Sequence, residues 1–168
     1  MPMKDIIPPV PLEALQDELS GVRFIRKTNK VWNKIFIINA ENSPNTMREI
    51  GRLRELSFRN AGGGTGLECD LDEYDTGEDS YQQLVVWDPD EKAILGGYRF
   101  HICEPDKCYK DGQIRLATSK LFNFSDSFIS EYLPHMIELG RSFVQPKYQS
   151  TTLRRKGIYA LDNLWDGL

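Results

Sequence analysis

Apolar positions along this chain keep two rhythms, and the switches between them predict its elements. Leu12, Leu15 and Leu19 recur at helical spacing and Gly21 stops the run, so Leu12 to Ser20 reads as a short helix. Val22 to Lys27 and Ile35 to Ala40 read as strands around a polar turn, Thr28 to Asn33. Ser43-Pro44 opens a second helix, with serine at the cap and proline in the first turn, and Met47, Ile50, Leu53 and Leu56 form its stripe. Tyr81 to Trp87 and Ile94 to Cys103 bracket Asp88-Pro89-Asp90, a turn signal that makes them a hairpin. Gln113 to Ser119 reads as a short strand. Phe122 to Tyr132 holds a short helix behind a Ser125 or Asp126 cap. A last helix runs from about Leu153, with Ile158, Leu161, Leu164, Trp165 and Leu168 on its stripe.

The segment Met136 to Val144 is apolar on both faces and halted by Pro146, as expected of a central strand covered from two sides. The predicted fold class is therefore α/β (α+β): a mixed, mostly antiparallel sheet around this strand, with helices on both faces. Strict alternation places Met136, Glu138, Gly140 and Ser142 on one face and Ile137, Leu139, Arg141 and Phe143 on the other. Each face then carries one charge. A charge in a buried strand costs several kcal/mol (roughly) unless it is paired. Glu138 and Arg141 are either halves of structural ion pairs or parts of a reaction centre.

Composition narrows the classes. At 168 residues the chain is long enough for a core of its own. No apolar run approaches the ~18 residues that span a bilayer, and MPMKDIIPPVP at the start is no secretory signal. Net charge is −4, which argues against general nucleic-acid binding. Cys69, Cys103 and Cys108 lack a ligand spacing and read as reduced cytosolic thiols, so no metal site is expected.

Several stretches stand out chemically. AGGGTG, from Ala61 to Gly66, lacks the Gly-Lys-Ser/Thr ending of a phosphate loop and reads as a mobile cover near a cleft. Glu68 to Asp79 packs seven acids into twelve residues without a base, either a solvated loop or a partner for arginines. ILGGYRFHIC sets Arg99 among apolar neighbours, with Gly96-Gly97 open to close approach and His101 on the face of Arg99, where a lone histidine reads as structural. Arg154, Arg155 and Lys156 sit in the first turn of the last helix, against its dipole. They are either a surface patch or an anion site.

ELGRSFVQPKYQ, from Glu138 to Gln149, resembles the strand at the heart of bacterial acyltransferases related to acyl-homoserine-lactone synthases. Closest are the N-acyl amino acid synthases, the ornithine or glycine N-acyltransferases often labelled haemolysin-like. Other matches follow in the family's order. Arg54 and Phe58 fit its Arg-x-x-x-Phe helix end, Asp72, Tyr74 and Asp75 its D-x-[YF]-D signature, and GGYRF its G-x-x-R strand. Arg154 and Gly157 fit the opening of its R/Q-x-x-G-x-G/A phosphopantetheine loop, although Tyr159 stands where that loop has a small residue.

The resemblance implies a GNAT-type fold and transfer of a fatty acyl group from acyl carrier protein (or CoA) to an amino acid such as glycine or ornithine, for aminolipid synthesis. It assigns Glu138, Arg141 and Arg99 to catalysis, and Arg54, Phe58, Asp72 and Asp75 to substrate binding. Arg154, Arg155 and Gly157 hold the donor's phosphopantetheine arm. In this reading Glu138 deprotonates the attacking amine, directly or through one water, and backbone N–H groups of the central strand stabilise the oxyanion. Arg99 and Arg141 hold the acids or clamp the acceptor's carboxylate. No resident cofactor and no nucleophilic serine or cysteine is called for. Expected partners are acyl carrier protein and an amino acid, in a cytoplasmic protein with peripheral membrane association at the inner membrane as an option. The rival class is a non-catalytic binding or assembly module on the same scaffold.

Residues 1–21 read as an N-terminal arm with a short helix, and 22–168 as the acyltransferase domain. That domain is expected to be incomplete at its C-terminus, because no residues follow the last helix to form the next strand. The chain is then a fragment of a longer enzyme, the favoured case, or completes its sheet through a homodimer. A fragment could be inactive by itself.

Overall fold

A computed structural model describes residues 2–77, 79–110, 112–149, 159 and 162–167. Helix α1 (Leu12–Glu18) precedes the hairpin of β1 (Phe24–Lys27) and β2 (Lys34–Ile38), and then comes the long helix α2 (Pro44–Asn60). One-turn helix α3 (Glu73–Thr76) leads into the hairpin of β3 (Gln82–Asp88) and β4 (Ala93–Ile102). Helix α4 (Pro105–Cys108) and a two-residue pair, β5 (Tyr109–Lys110) with β6 (Gln113–Ile114), form an excursion before β7 (Ile137–Val144) and α5 (Pro146–Gln149). The main sheet has the order β1-β2-β3-β4-β7. All of its described pairings are antiparallel.

Residue register explains the two-layer core. Phe36, Ile38, Val85, Trp87, Ile94 and Phe143 face α1 and α2, where Leu15, Leu19, Met47, Ile50 and Leu53 meet them. Ile35, Leu84, Val86, Leu95, Tyr98 and Val144 face the opposite way, toward Tyr148 of α5 and Leu164 of the helical residues 162–165. Helical cover on both faces thus follows the expectation. Pro44 occupies the first turn of α2, but the Ser43 hydroxyl makes no capping bond there. Instead Glu18 of α1 reaches across and accepts the N–H groups of Asn45 (3.0 Å) and Thr46 (2.6 Å). A carboxylate at that end also meets the positive pole of the helix.

Strand β7 differs from the expectation in two ways. It pairs only with β4, so among the described residues it is an edge strand and not a central one. Phe143 and Val144 are buried, whereas Ile137 and Leu139 are 47% and 40% exposed. Apolar alternation reports surface that favours cover; it does not report which neighbour supplies it.

The second difference is a β-bulge. Gly97 pairs with Phe143 and Arg99 with Gly140, so Tyr98 alone is opposed by Arg141 and Ser142. Arg141 takes a positive φ of 52°, a left-handed conformation that is uncommon for a residue with a Cβ. The extra residue shifts the alternation by one. Phe143 therefore joins the α2 face that also carries Glu138, and Arg141 turns to the same side.

Smaller segments also depart from the pattern. Gln113–Ile114 is all that pairs in the 113–119 stretch, and Ala117–Lys120 is a 3₁₀ turn. In the 122–132 stretch a π-type turn, Phe128–Tyr132, runs into a 3₁₀ turn at Leu133–His135. The glycine-rich segment is no cover over a cleft. Glu55 accepts N–H groups from Thr65 (2.9 Å) and Gly66 (2.8 Å), and Lys4 of the N-terminal arm donates to the Gly66 carbonyl. The close approach at Gly97 comes from the neighbouring strand: an added Cβ would lie 2.6 Å from the Leu84 carbonyl oxygen.

Candidate functional site

The acidic stretch is folded inward, and its spacing explains why. Asp72 accepts the N–H of Tyr74 (2.9 Å), and Asp75 accepts the N–H of Asp72 (3.1 Å), a reciprocal capping box that starts α3. The same two carboxylates are the anchor for the arginines of the adjoining elements. Arg54, on α2, donates to both Asp75 oxygens at 3.0 Å and to Gln83 Oε1 at 2.5 Å, with no exposed surface on either Arg54 or Asp75. Arg99, on β4, donates to Asp72 at 2.7 Å and reaches Asp75 at 3.4 Å. Its guanidinium also lies over the rings of Tyr74 (5.4 Å) and Tyr81 (5.5 Å). Asp70 is held by the α2 backbone, its N–H donating to the Gly51 carbonyl (3.0 Å). No Cβ would fit at Gly51 without displacing Cys69 and Leu71.

Electrostatics within the cluster follow from these contacts. Burial pushes the Asp72 carboxyl up, but Arg99, the Tyr74 N–H and Arg141 together outweigh it and leave the group below its usual value. Asp70 goes the other way, because burial dominates over Arg141 and Arg54. Burial also pulls the Arg54 guanidinium down against the pull of Asp75, while Arg99 ends raised because its carboxylate partners outweigh its burial.

Arg141 is the least committed of the three cluster arginines. Its Nη2 stands 3.4 Å from Asp70 and 3.6 Å from Asp72, ion-pair contacts without a short hydrogen bond, and its side chain is 32% exposed. It lines a cleft of about 340 Å³ together with Asp72, Arg99, Glu138 and Gly140. Gly140 keeps this floor low, since a Cβ there would press on Arg99 at 3.4 Å. Thr118 and Lys120 stand on the facing wall.

Glu138 is anchored but not saturated. Its Oε2 accepts the Tyr81 hydroxyl and the Ala117 N–H (3.2 Å), and its Oε1 accepts the Thr118 N–H (2.8 Å). A carboxylate has about four acceptor positions, so Oε1 has one to spare toward the cleft. Tyr81 is buried, and burial together with Glu138 drives its hydroxyl pKa upward, keeping it a donor. His101 pairs with Glu138 across the strands and stacks on Tyr81 at 4.7 Å. Burial lowers its pKa.

Of the residues singled out in the sequence, the cleft brings together Glu138, Arg141, Arg99 and Asp72. Arg54 and Asp75 lie beneath it, fully buried, so they support the wall and do not form it. Phe58 packs against the hydrophobic core and lines no part of the cleft. Arg154, Arg155 and Gly157 lie outside the described residues. Tyr81, Gln83 and Asp70 escaped the sequence reading, although Tyr81 and Gln83 carry a signal, being polar groups spaced by two in the apolar run YQQLVVW. Ala117 and Thr118 carry none, because only the fold brings their loop against Glu138. Cys69 and Cys108 are no nucleophiles: burial pushes their thiols to about 11 and about 12. Among the described residues no group of His, Cys, Asp and Glu is arranged to hold a metal ion.

Known proteins can now be set beside this geometry. Residues 53–156 match the acetyltransferase (GNAT) domain family, a span that takes in the whole cleft. The chain belongs to that family. It is 58% identical to a glycine N(alpha)-acyltransferase of Bacteroides thetaiotaomicron over 99% of its own length and 49% of the relative's. Identity to a glycine N(alpha)-acyltransferase of Phocaeicola vulgatus is 54%, over 99% of this chain and 51% of that one. The chain thus spans about half the length of the curated relatives it matches. No solved structure matches it.

Proposed function

We propose that this chain carries the reaction centre of an N-acyltransferase that joins an acyl group from a thioester to the amino group of an amino acid, with glycine as the acceptor. The observation that carries the proposal is the convergence of Glu138 and Arg141 on one cleft through the β7 bulge. The names of the relatives supply the acceptor, and the family supplies acyl-CoA as the donor class; a fatty acyl group on a carrier protein presents the same phosphopantetheine thioester.

The proposed chemistry needs few parts. An α-amino acid presents an ammonium and a carboxylate on neighbouring atoms. Arg141 takes the carboxylate, because Arg99 is buried and already paired with Asp72 and Asp75, whereas Arg141 is part-exposed at the cleft. The free acceptor position of Glu138 Oε1 takes a proton from the amine, directly or through one water, and Tyr81 with the two turn N–H groups holds that carboxylate in place. The nitrogen then attacks the thioester carbonyl. A C–N bond forms, the C–S bond breaks, and the thiolate departs and takes up a proton. A bulge interrupts the regular ladder at Arg141 and Ser142, which makes the β7 backbone there the proposed donor to the oxyanion. A non-catalytic module would need none of this spare capacity.

The test is product formation. With glycine and a long-chain acyl thioester the chain should release free thiol and form N-acylglycine, identified by mass. Arg141→Gln should raise KM for glycine about tenfold, the worth of one charge-assisted carboxylate contact, with a smaller change in kcat. Acylation of simple alkylamines with equal efficiency, or an Arg141→Gln enzyme with unchanged glycine KM, would remove the carboxylate clamp from the account.

A further inference from the structure

We infer that the β1–β2 hairpin is a docking element for an anionic lipid surface. This goes beyond the reaction proposed above and does not depend on it.

Three observations coincide on the hairpin. The first is charge. From Val22 to Lys34 the sequence VRFIRKTNKVWNK holds five bases and no acid, in a chain whose net charge is −4. Asp162 and Asp166 approach it, holding Lys30 (2.9 Å) and the Asn29 N–H (2.9 Å). They brace one side of the turn, where they neutralise Lys30, and still leave Arg23, Arg26, Lys27 and Lys34 in excess. The second is exposed apolar surface among those charges. Val22 is fully exposed, Trp32 is 73%, Ile25 48% and Val31 42% exposed. The Lys27 ammonium lies 5.3 Å from the centre of the Trp32 ring. Tryptophan beside lysine, with aliphatic neighbours, is the set of side chains that favours the headgroup boundary of a membrane.

The third is backbone. Val31 and Trp32 both take left-handed φ values, 69° and 58°. Such values suit asparagine and glycine and are costly for a β-branched or bulky residue. The turn is closed all the same, by Thr28 N–H to the Asn33 carbonyl (2.8 Å) and the Thr28 hydroxyl to the Lys30 carbonyl (2.6 Å). That strain holds two apolar side chains outward at the tip, where they contribute nothing to the core. A projection with a cationic collar suits a surface that yields to it. A folded acidic partner would need a complementary pocket for Trp32. Among the described residues no helix is long and apolar enough to cross a membrane, so attachment of this kind would be peripheral.

The test is co-sedimentation of the full chain with lipid vesicles. The chain should pellet with vesicles of phosphatidylcholine containing phosphatidylglycerol, stay in solution with phosphatidylcholine alone, and be released by added salt. Replacing Arg26 and Lys27 together by glutamine should weaken anionic-vesicle binding about fivefold per charge. Trp32→Ala should weaken it by a comparable factor, with thermal melting unchanged in both variants. Failure of the unaltered chain to pellet with anionic vesicles overturns the inference, as does wild-type pelleting by both variants. If instead the variants bind vesicles normally but need more acyl carrier protein thioester in a lipid-free assay, the hairpin serves an acidic protein and the inference is wrong. Loss of N-acylglycine formation without loss of vesicle binding would bear on the proposed reaction alone.

Discussion

Arg54 and Arg141 belong to one charge network and live in different physical regimes. Arg54 is dry: both Asp75 oxygens and Gln83 accept its protons, and solvent reaches none of them. Arg141 sits at the cleft, with longer contacts to Asp70 and Asp72 and a third of its side chain exposed. A buried ion pair contributes little net stability but is costly to break, since its survivor is left charged and unpaired. A partly matched, partly exposed arginine can exchange its contacts for a ligand at small cost. The floor of the site is therefore built to be permanent, and its wall is built to bind.

The comparison breaks most visibly at the floor. Arg54→Ala strands Asp75 in the interior and should cost roughly 3–5 kcal/mol. For a chain of this size that is a fall of about 10 °C in Tm, read by circular dichroism or calorimetry. Arg141→Gln, made for its effect on glycine, should move Tm little. Equal losses of stability in the two variants would erase the distinction between floor and wall.

A smaller effect sharpens the view of the wall. His101 is packed between Tyr81 and the partner strand, and burial holds its pKa below the ordinary value of about 6.5. Below that pH the unfolded chain takes a proton that the folded chain resists, so stability should fall as pH drops from about 6.5 toward the folded pKa. The charges around it, Glu138 and Asp79 raising and Lys107 lowering its pKa, do not reverse the direction. His101→Phe keeps the stack and should flatten this part of the Tm profile. A profile with the same slope would place the acid sensitivity elsewhere.

How much of this was legible in the sequence depended on the range of the interactions. Helix α2, the β3–β4 hairpin and the apolar stripes follow from local rules, whereas the Asp72–Asp75 pair was legible through the family resemblance, and its capping box is seen only in the fold. Arg99 among apolar neighbours announced a buried partner, and one is there. The bulge was invisible. Ordinary alternation put Glu138 and Arg141 on opposite faces, and a single left-handed residue reverses that result, because the period of a strand is two and one extra residue flips it. Cover was equally hidden: the pattern of Met136 to Val144 asks for burial on both faces, yet Ile137 and Leu139 stand half-exposed on an edge. The anchors of Glu138 at Ala117 and Thr118 come from a loop twenty residues away that only the folded chain brings near.

The central claim is that Glu138 has one acceptor position left for the proton of an attacking amine. Glu138→Gln keeps the size and an acceptor oxygen while removing the base, so it tests that claim more directly than any truncation. The account predicts a modest fall in Tm, because the amide nitrogen replaces one of two acceptor oxygens, and a loss of about 10²-fold or more in kcat for N-acylglycine formation, with the pH dependence of kcat altered as well. Turnover undiminished in Glu138→Gln would contradict it.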